Sequence, residues 1–302
     1  MRLWKKIVLI LLILIVTLGC IALGVKRRYD KGILVTQFAP KTDRQSMGYM
    51  IKTDQGKLVM IDGGTRGDVS NVANEIIANG GVVDYWFLTH AHDDHYGVLL
   101  SILKNPSKYN IEIKTICLNF NEESWYMAND NSRYEDIKEM LAMLRTEEVR
   151  DKIHIVQNRE EIPLDNLIFT ILKTTSPEQK ENSGNNQSVV IKVTNMYKSM
   201  LFLGDLGPEE ENDFVNGNLD EIDCDAVQMA HHGQKGVTKE TYEKISPKVC
   251  FWPTPDWLYD NDRGEGFNTA EYKTVETRTW MEELGVKENI VAKDGNQEYR
   301  IW

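Results

Sequence analysis

Residues 89–97 read Thr-His-Ala-His-Asp-Asp-His-Tyr-Gly, and the fold is decided by what surrounds them. His90, His92, Asp94 and His95 put three imidazoles and a carboxylate within six positions, half of the six histidines in the chain. The run Val-Asp-Tyr-Trp-Phe-Leu (83–88) before them is apolar and β-prone, which predicts a buried strand; residues 98–103 are apolar enough to begin a helix. Ligand-type side chains crowded onto a strand-to-helix loop predict a metal site. His90 and His92, on alternate residues, can turn toward one ion, while Asp94 and His95 turn toward a second. Imidazole with carboxylate suits Zn, Mn or Fe, and an open coordination position would hold a reactive water.

Working outward, residues 33–38, 48–53 and 57–61 read as short strands, with turns at Asp54-Gln55-Gly56 and Asp62-Gly63-Gly64. Residues 68–78 carry Val69, Val72, Ile76 and Ile77 at helical spacing, and a second helix begins at Ser132, with Ile137, Met140, Leu141 and Leu144 on one face. Strand-like runs follow at 152–157, 166–173, 188–194 and 199–204. After Asp205 helices (208–215, 238–245, 270–284) alternate with strands (225–230, 248–252, 289–292, 297–301). Early hairpins followed by strand–helix alternation predict an α/β fold of two mixed sheets face to face with helices outside.

The motifs together resemble the metallo-β-lactamase fold superfamily. His90-Ala-His92-Asp-Asp94-His95 is similar to its His-x-His-x-Asp-His signature. Val59-Met-Ile-Asp62-Gly-Gly64 resembles the first motif, Leu201-Phe-Leu-Gly-Asp205 the Gly-Asp motif, and Ala230-His231-His232-Gly233 the last, His-bearing motif. The resemblance runs from about residue 33 to the C-terminus and implies a four-layer αββα sandwich. It also implies a centre of two divalent metal ions, zinc first, with Mn or Fe as alternatives. His90 and His92 would hold one ion, Asp94 and His95 the other, and Asp205 would bridge them. Either His231 or His232 would complete the second site, and Asp62 would orient the metal loop from behind, as metal-bound histidines require. The catalytic set implied is Asp94, Asp205, His231 and His232.

In lactamase- and glyoxalase-type members a third-motif His sits just before the strand that leads to Gly-Asp. This chain has Gly184-Asn185-Asn186-Gln187-Ser188-Val189-Val190 there. The only intervening histidine, His154, lies in an alternating strand pattern and reads as structural. Asn185 or Asn186 could lend a carbonyl oxygen to the depleted site. The pattern Asn-Asn-x-Ser-Val-Val, Leu-Gly-Asp, His-His-Gly resembles the ComEC hydrolase domain and secreted phosphorylcholine-esterase-like phosphodiesterases. The 26 positions from Asp205 to His231 leave no room for the inserted domain of the RNA-processing branch. The implied activity is hydrolysis of a phosphodiester, on a small molecule or envelope polymer, through a hydroxide bridging the metals. The alternatives are a nuclease or DNA-uptake-related hydrolase, and a metal-stabilised binding or sensor domain without turnover.

Residues 7–25 are nineteen consecutive uncharged positions between basic clusters, about 28 Å as a helix, which predicts an N-terminal transmembrane anchor. The expected organisation is therefore a membrane or signal segment over 1–30 and a hydrolase domain over 31–302, at the cell membrane with the domain extracytoplasmic. Secretion after cleavage is the alternative. Residues 1–30 hold six of the 35 basic residues and one of the 46 acidic, so the rest carries 29 against 45, a net charge of −16. Nucleic-acid affinity rests on cations meeting phosphates, so so acidic a body is unsuited to general nucleic-acid binding. Cys117, Cys224 and Cys250 show no paired spacing and no disulfide framework. The aromatic segment Phe251 to Phe267 reads as a possible wall of the site, able to hold a quaternary ammonium by cation–π attraction.

Overall fold

Fourteen strands are formed among the described residues of this computed structural model, which are 2–29, 32–234 and 236–301. In chain order they are β1 (Ile33–Gln37), β2 (Gly48–Lys52), β3 (Leu58–Asp62), β4 (Val82–Phe87), β5 (Glu112–Leu118), β6 (Ile153–Ile155) and β7 (Glu161–Leu164). There follow β8 (Leu167–Lys173), β9 (Val190–Thr194), β10 (Ser199–Phe202), β11 (Ala226–Gln228), β12 (Val249–Trp252), β13 (Glu288–Val291) and β14 (Gln297–Ile301). One sheet runs β14-β1-β2-β3-β4-β5-β6 and the other β13-β12-β11-β10-β9-β8-β7. Each is antiparallel in one half and parallel in the other, the parallel halves being β3 to β6 and β10 to β13.

Alternation along the strands sorts their side chains into three cores, and three apolar interfaces require four layers. Between the sheets lie Tyr49, Ile51, Val59 and Ile61 from one and Ile191, Met200, Phe202 and Phe251 from the other. The opposite faces of the first sheet (Met50, Leu58, Met60, Trp86) meet the helices Val69–Ala78, Asp93–Lys104 and Tyr134–Leu144. Those of the second (Leu201, Val227, Cys250, Trp252) meet Phe214 of Pro208–Asn218, Tyr242 of Lys239–Ile245 and Met281 of Thr274–Glu283. The αββα sandwich expected from the strand and helix order is thus formed. Cys117, Cys224 and Cys250 are buried and unpaired.

The expected transmembrane anchor is not supported. A helix does run over Arg2–Tyr29. No helix among the described residues is long and apolar enough to cross a membrane. The placement at the cell membrane with an outward-facing domain rested on that anchor and falls with it.

The topology positions the site. Ligands of open α/β sheets collect beyond the carboxyl ends of parallel strands. Here the neighbouring parallel pairs β3/β4 and β10/β11, one in each sheet, end in the four motif loops. Backbone bonds tie the loops together: Val189 N–H donates to Thr89 O (2.8 Å), His231 N–H to Gly204 O (3.0 Å) and Met47 N–H to Asp94 O (3.0 Å).

Candidate metal centre

Asp62 ends β3 in the left-handed region (φ 54°), which turns its carboxylate back under the next loop. Its Oδ1 accepts the Thr89 backbone N–H (2.9 Å), and its Oδ2 accepts the Thr89 hydroxyl (2.8 Å) and His95 Nδ1–H (2.8 Å). When the ring is neutral with its proton on Nδ1 toward Asp62, the Nε2 lone pair of His95 faces inward. His232 is arranged alike: Nδ1–H donates to the Pro253 carbonyl (2.8 Å), leaving Nε2 to face Asp94 Oδ2 (3.4 Å) and Asp205 Oδ2 (3.6 Å). His90 Nδ1 lies against the hydroxyls of Thr89 (3.2 Å) and Ser188 (3.4 Å), with Nε2 3.9 Å from Asp205 Oδ2. His95 Nε2 is 3.3 Å from Asp205 Oδ1.

Two groups of three donors result, His90–His95–Asp205 and Asp94–His95–His232, all buried, each with its ligand atoms within 4.8 Å of one another. Nine buried side-chain polar atoms among the described residues lack a hydrogen-bond partner. Five are His90 Nε2, His95 Nε2, His232 Nε2, Asp94 Oδ1 and Asp205 Oδ1. Each such group costs about 1–3 kcal/mol if nothing satisfies it, so their convergence on one point marks a place built for cations. The donor set fits a divalent metal.

Electrostatics agree. Burial pushes the His90 imidazole well below its ordinary value, and His95 and His92 push the same way, keeping a lone pair available. Burial opposes charge on His95 and His232, but the carboxylates of Asp205 and Asp62 beside the first, and of Asp205 and Asp94 beside the second, raise both. Asp94 and Asp205 resist burial and stay well below the carboxylate range, held by His232 and His95 respectively and by the further imidazoles around them. The carboxylates are therefore ionised in the apoprotein.

Other expected site residues fall elsewhere. His92 stands outside both groups, its Nε2 2.9 Å from Asp130 Oδ2. His231, left open against His232 in the sequence, lies at the cavity mouth: its side chain is 18% exposed and its Nε2 is 3.8 Å from Asp205 Oδ2. Both histidines have left-handed backbone (φ 51° and 56°), strain that non-glycine residues carry mainly at functional turns. Asn185 Nδ2 is 3.4 Å from His231 Nε2. Asn186 instead staples its loop, accepting Gly207 N–H (2.8 Å) and donating to Glu181 O (2.8 Å). His154 is remote, paired with Glu160 at 2.6 Å.

Sequence reasoning missed three supports. Buried Gln228 accepts the N–H groups of Leu203 and Gly204 (both 2.8 Å) and donates to Gly204 O (3.0 Å) and Met229 O (2.7 Å), joining two motif loops. Its position in the run before Ala230-His231 was the available signal. Lys173, a charge inside a strand pattern, reaches the Asn186 carbonyl (2.9 Å) beside Glu210 (3.5 Å), and burial lowers it to about 8. Asp130 follows a helix too short to show periodicity, Glu123–Asn129.

A cavity of about 220 Å³ opens onto the centre, lined by His92, Asp94, Asp130, Asn185, Asp205 and His231 among others. A chamber of about 440 Å³ shares Asp94, Arg133 and His231 with it and adds Arg44, Arg263 and Trp257. The Arg263 guanidinium lies 3.3 Å from the centre of the Trp257 ring, and Arg278 lies 4.1 Å from that of Tyr259. The aromatic segment thus already carries the chain's own cations where a quaternary ammonium was expected.

No curated protein matches the sequence. Among solved structures, the chain is similar to the metallo-beta-lactamase fold protein YhfI from Bacillus subtilis (11% identity, 88% of this chain and 100% of that one, TM-score 0.50). It is similar also to Zn(2+)-bound PqqB from Methylobacterium extorquens (10% identity, 89% and 100%, TM-score 0.51). A third is CmlA, a diiron beta-hydroxylase from Streptomyces venezuelae (10%, 89% and 54%, TM-score 0.50). At such identities the likeness is one of fold. The sequence matches the metallo-beta-lactamase superfamily over residues 42–249, a match to the superfamily that does not single out the ComEC-like branch. With its four-layer sandwich and its cluster of buried imidazoles and carboxylates, this chain belongs to the metallo-beta-lactamase superfamily.

Proposed function

We propose that the chain is a metal-dependent phosphodiesterase working with two divalent ions, zinc first among them. Two such ions would supply Lewis acidity and an activated water. His90 and His92 on one side and Asp94, His95 and His232 on the other would hold them, with Asp205 between. Asp62 and the Pro253 carbonyl orient the imidazoles. His231, which lines the cavity, would protonate a leaving oxygen or hold the phosphoryl group.

The observation that carries the phosphodiester reading is the wall of guanidiniums beside the centre. Arg44 and Arg133 share one carboxylate, Asp93 (2.7 and 3.4 Å), so the pair exceeds its counter-charge by one. Arg263 is stacked on Trp257, donates from Nη2 to the Tyr272 hydroxyl (3.3 Å) and makes no ion pair among the described residues, so its charge is left for an oxyanion. Asp43 and Asp94 also line this chamber; with Asp94 taken up by the donor cluster, the rest of the wall carries one excess cation in a body of net −16. An anionic diester suits such a wall better than a neutral or cationic substrate does. The test is turnover of bis-p-nitrophenyl phosphate, p-nitrophenyl phosphate, DNA and nitrocefin by metal-loaded protein. Hydrolysis of the diester with no hydrolysis of nitrocefin is expected. Turnover of nitrocefin alone contradicts the proposal, and steeply salt-dependent cleavage of DNA would redirect it to a nuclease.

A further inference from the structure

We infer that a second chamber beside His231 takes an aromatic leaving arm of the diester, with Trp280 as the surface it stacks on. This rests on the phosphodiesterase reading above. The first observation is connection. His231 and Asn182 line both the cavity of about 220 Å³ at the centre and a chamber of about 440 Å³. A leaving oxygen held beside His231 has that chamber open to its substituent. Its size falls within the range of small-molecule sites. His231 and Gln234 also line the arginine-walled chamber, so the two spaces share a wall. A diester at the centre can then send one arm into each.

The second observation is charge. Among the described residues, the ionisable side chains of this chamber besides His231 are Glu209 and Lys273, one of each sign. Glu209 Oε2 accepts Asn186 Nδ2–H (3.1 Å), and Lys273 Nζ lies 3.4 Å from Glu276. The arginine-walled chamber has an excess cation and this one has none, so it favours an uncharged arm. Pro208, Val237 and Trp280 supply its apolar surface.

The third is the aromatic surface itself. Lys273, Thr277 and Trp280 fall on one stripe of helix Thr274–Glu283 and its cap, and all three line the chamber. Trp280 packs against the outer core of the second sheet and stays half-buried. Trp257 and Tyr259 carry Arg263 and Arg278 on their rings, but among the described residues no cation or ring is stacked on Trp280. A flat arene gains both buried area and ring stacking there. Another part of the wall is fixed in advance. Thr238 is held by Glu211 through its N–H (2.6 Å) and its hydroxyl (2.9 Å), and the Thr241 hydroxyl donates to the same carboxylate (3.0 Å). A Cβ on Gly236 would lie 2.5 Å from Ala230 Cβ and 2.6 Å from Ala230 O. The loop after His232 therefore folds back tightly and sets Val237 in the chamber wall.

The experiment measures kcat and KM for bis-p-nitrophenyl phosphate on the metal-loaded full-length chain. Alongside it, binding of 2-naphthol to the metal-free chain is read by saturation-transfer NMR. Trp280→Leu keeps apolar volume against the outer core but loses the stack, and should raise KM about fivefold, with the change confined to KM. Trp280→Phe restores a ring and should return KM to within about twofold of wild type. 2-Naphthol should bind wild type and Trp280→Phe, with its signal lost in Trp280→Leu. Matching near-ultraviolet circular dichroism establishes that the variants fold; should Trp280→Leu not fold, displacement of 2-naphthol by the product p-nitrophenol decides. An unchanged KM in Trp280→Leu, or a fall in kcat alone, would overturn the assignment. So would a wild-type chain that binds no 2-naphthol, or that binds choline in its place. A chain that binds 2-naphthol through Trp280 but hydrolyses no diester would overturn the phosphodiesterase reading and leave the aromatic site standing.

Discussion

Asp62 gives none of its oxygens to the donor cluster, yet its contact with Nδ1 decides which nitrogen of His95 is offered there. Replacing it by alanine should weaken metal binding by about 10–100-fold, as loss of such partners typically does. Competition against a coloured chelator measures this, and unchanged affinity would contradict it. Lys173 gives a second residue-scale expectation. Its folded value, about 8, lies below the ordinary 10.5, so between those limits the unfolded chain binds more protons. Stability from this group therefore rises from pH 8 to pH 10.5, by up to about 3 kcal/mol. Denaturant melts across that window should show the gap between wild type and Lys173→Met changing by that order; a constant gap would contradict it. At this scale the sequence was legible wherever chemistry is rare. Five of six histidines sit at or beside the centre, but the turn of His232, and not His231, into a buried donor group involves the Pro253 carbonyl, 21 positions away and invisible to spacing. Asp130 was illegible because acidic residues on short loops are common.

Among the elements, the start of helix Asp93–Lys104 is packed directly against backbone. A Cβ on Gly97 would lie 2.5 Å from Arg66 N and 2.7 Å from Thr65 C, both backbone atoms that cannot rotate aside. Gly97→Ala should destabilise the fold by about 1–3 kcal/mol and displace His95, two residues earlier. A urea melt together with metal affinity checks this, and a variant that matches wild type in both would contradict it. Strands and helices with full periodicity were readable: residues 68–78 against Val69–Ala78, and 297–301 against Gln297–Ile301. Glu123–Asn129 was not, because seven residues bury only Tyr126 and show no repeat. β7 was missed likewise: Glu161-Ile-Pro-Leu164 contains proline and holds a sheet edge, where its missing N–H is tolerated.

For the whole molecule, two sheets that are each half parallel bring four loop ends to one place, and the cluster there is costly without a cation. Chelation should accordingly lower the thermal midpoint by about 5 °C or more, and readdition of metal should restore it. An indifferent midpoint would argue against cation binding at the cluster. The overall charge was a poor guide to the cleft: a body of net −16 still sets Arg44, Arg133 and Arg263 around its chamber, since composition averages over positions that only folding brings together. The apolar run at residues 7–25 shows the converse, a pattern that satisfied span length in sequence while no described helix qualifies as a span. The central claim is tested most directly by turnover of bis-p-nitrophenyl phosphate, compared between metal-loaded wild type and Asp205→Asn. A loss of about a thousandfold or more, roughly 4 kcal/mol of transition-state stabilisation, is expected with the fold retained. Equal turnover in the two proteins would contradict it.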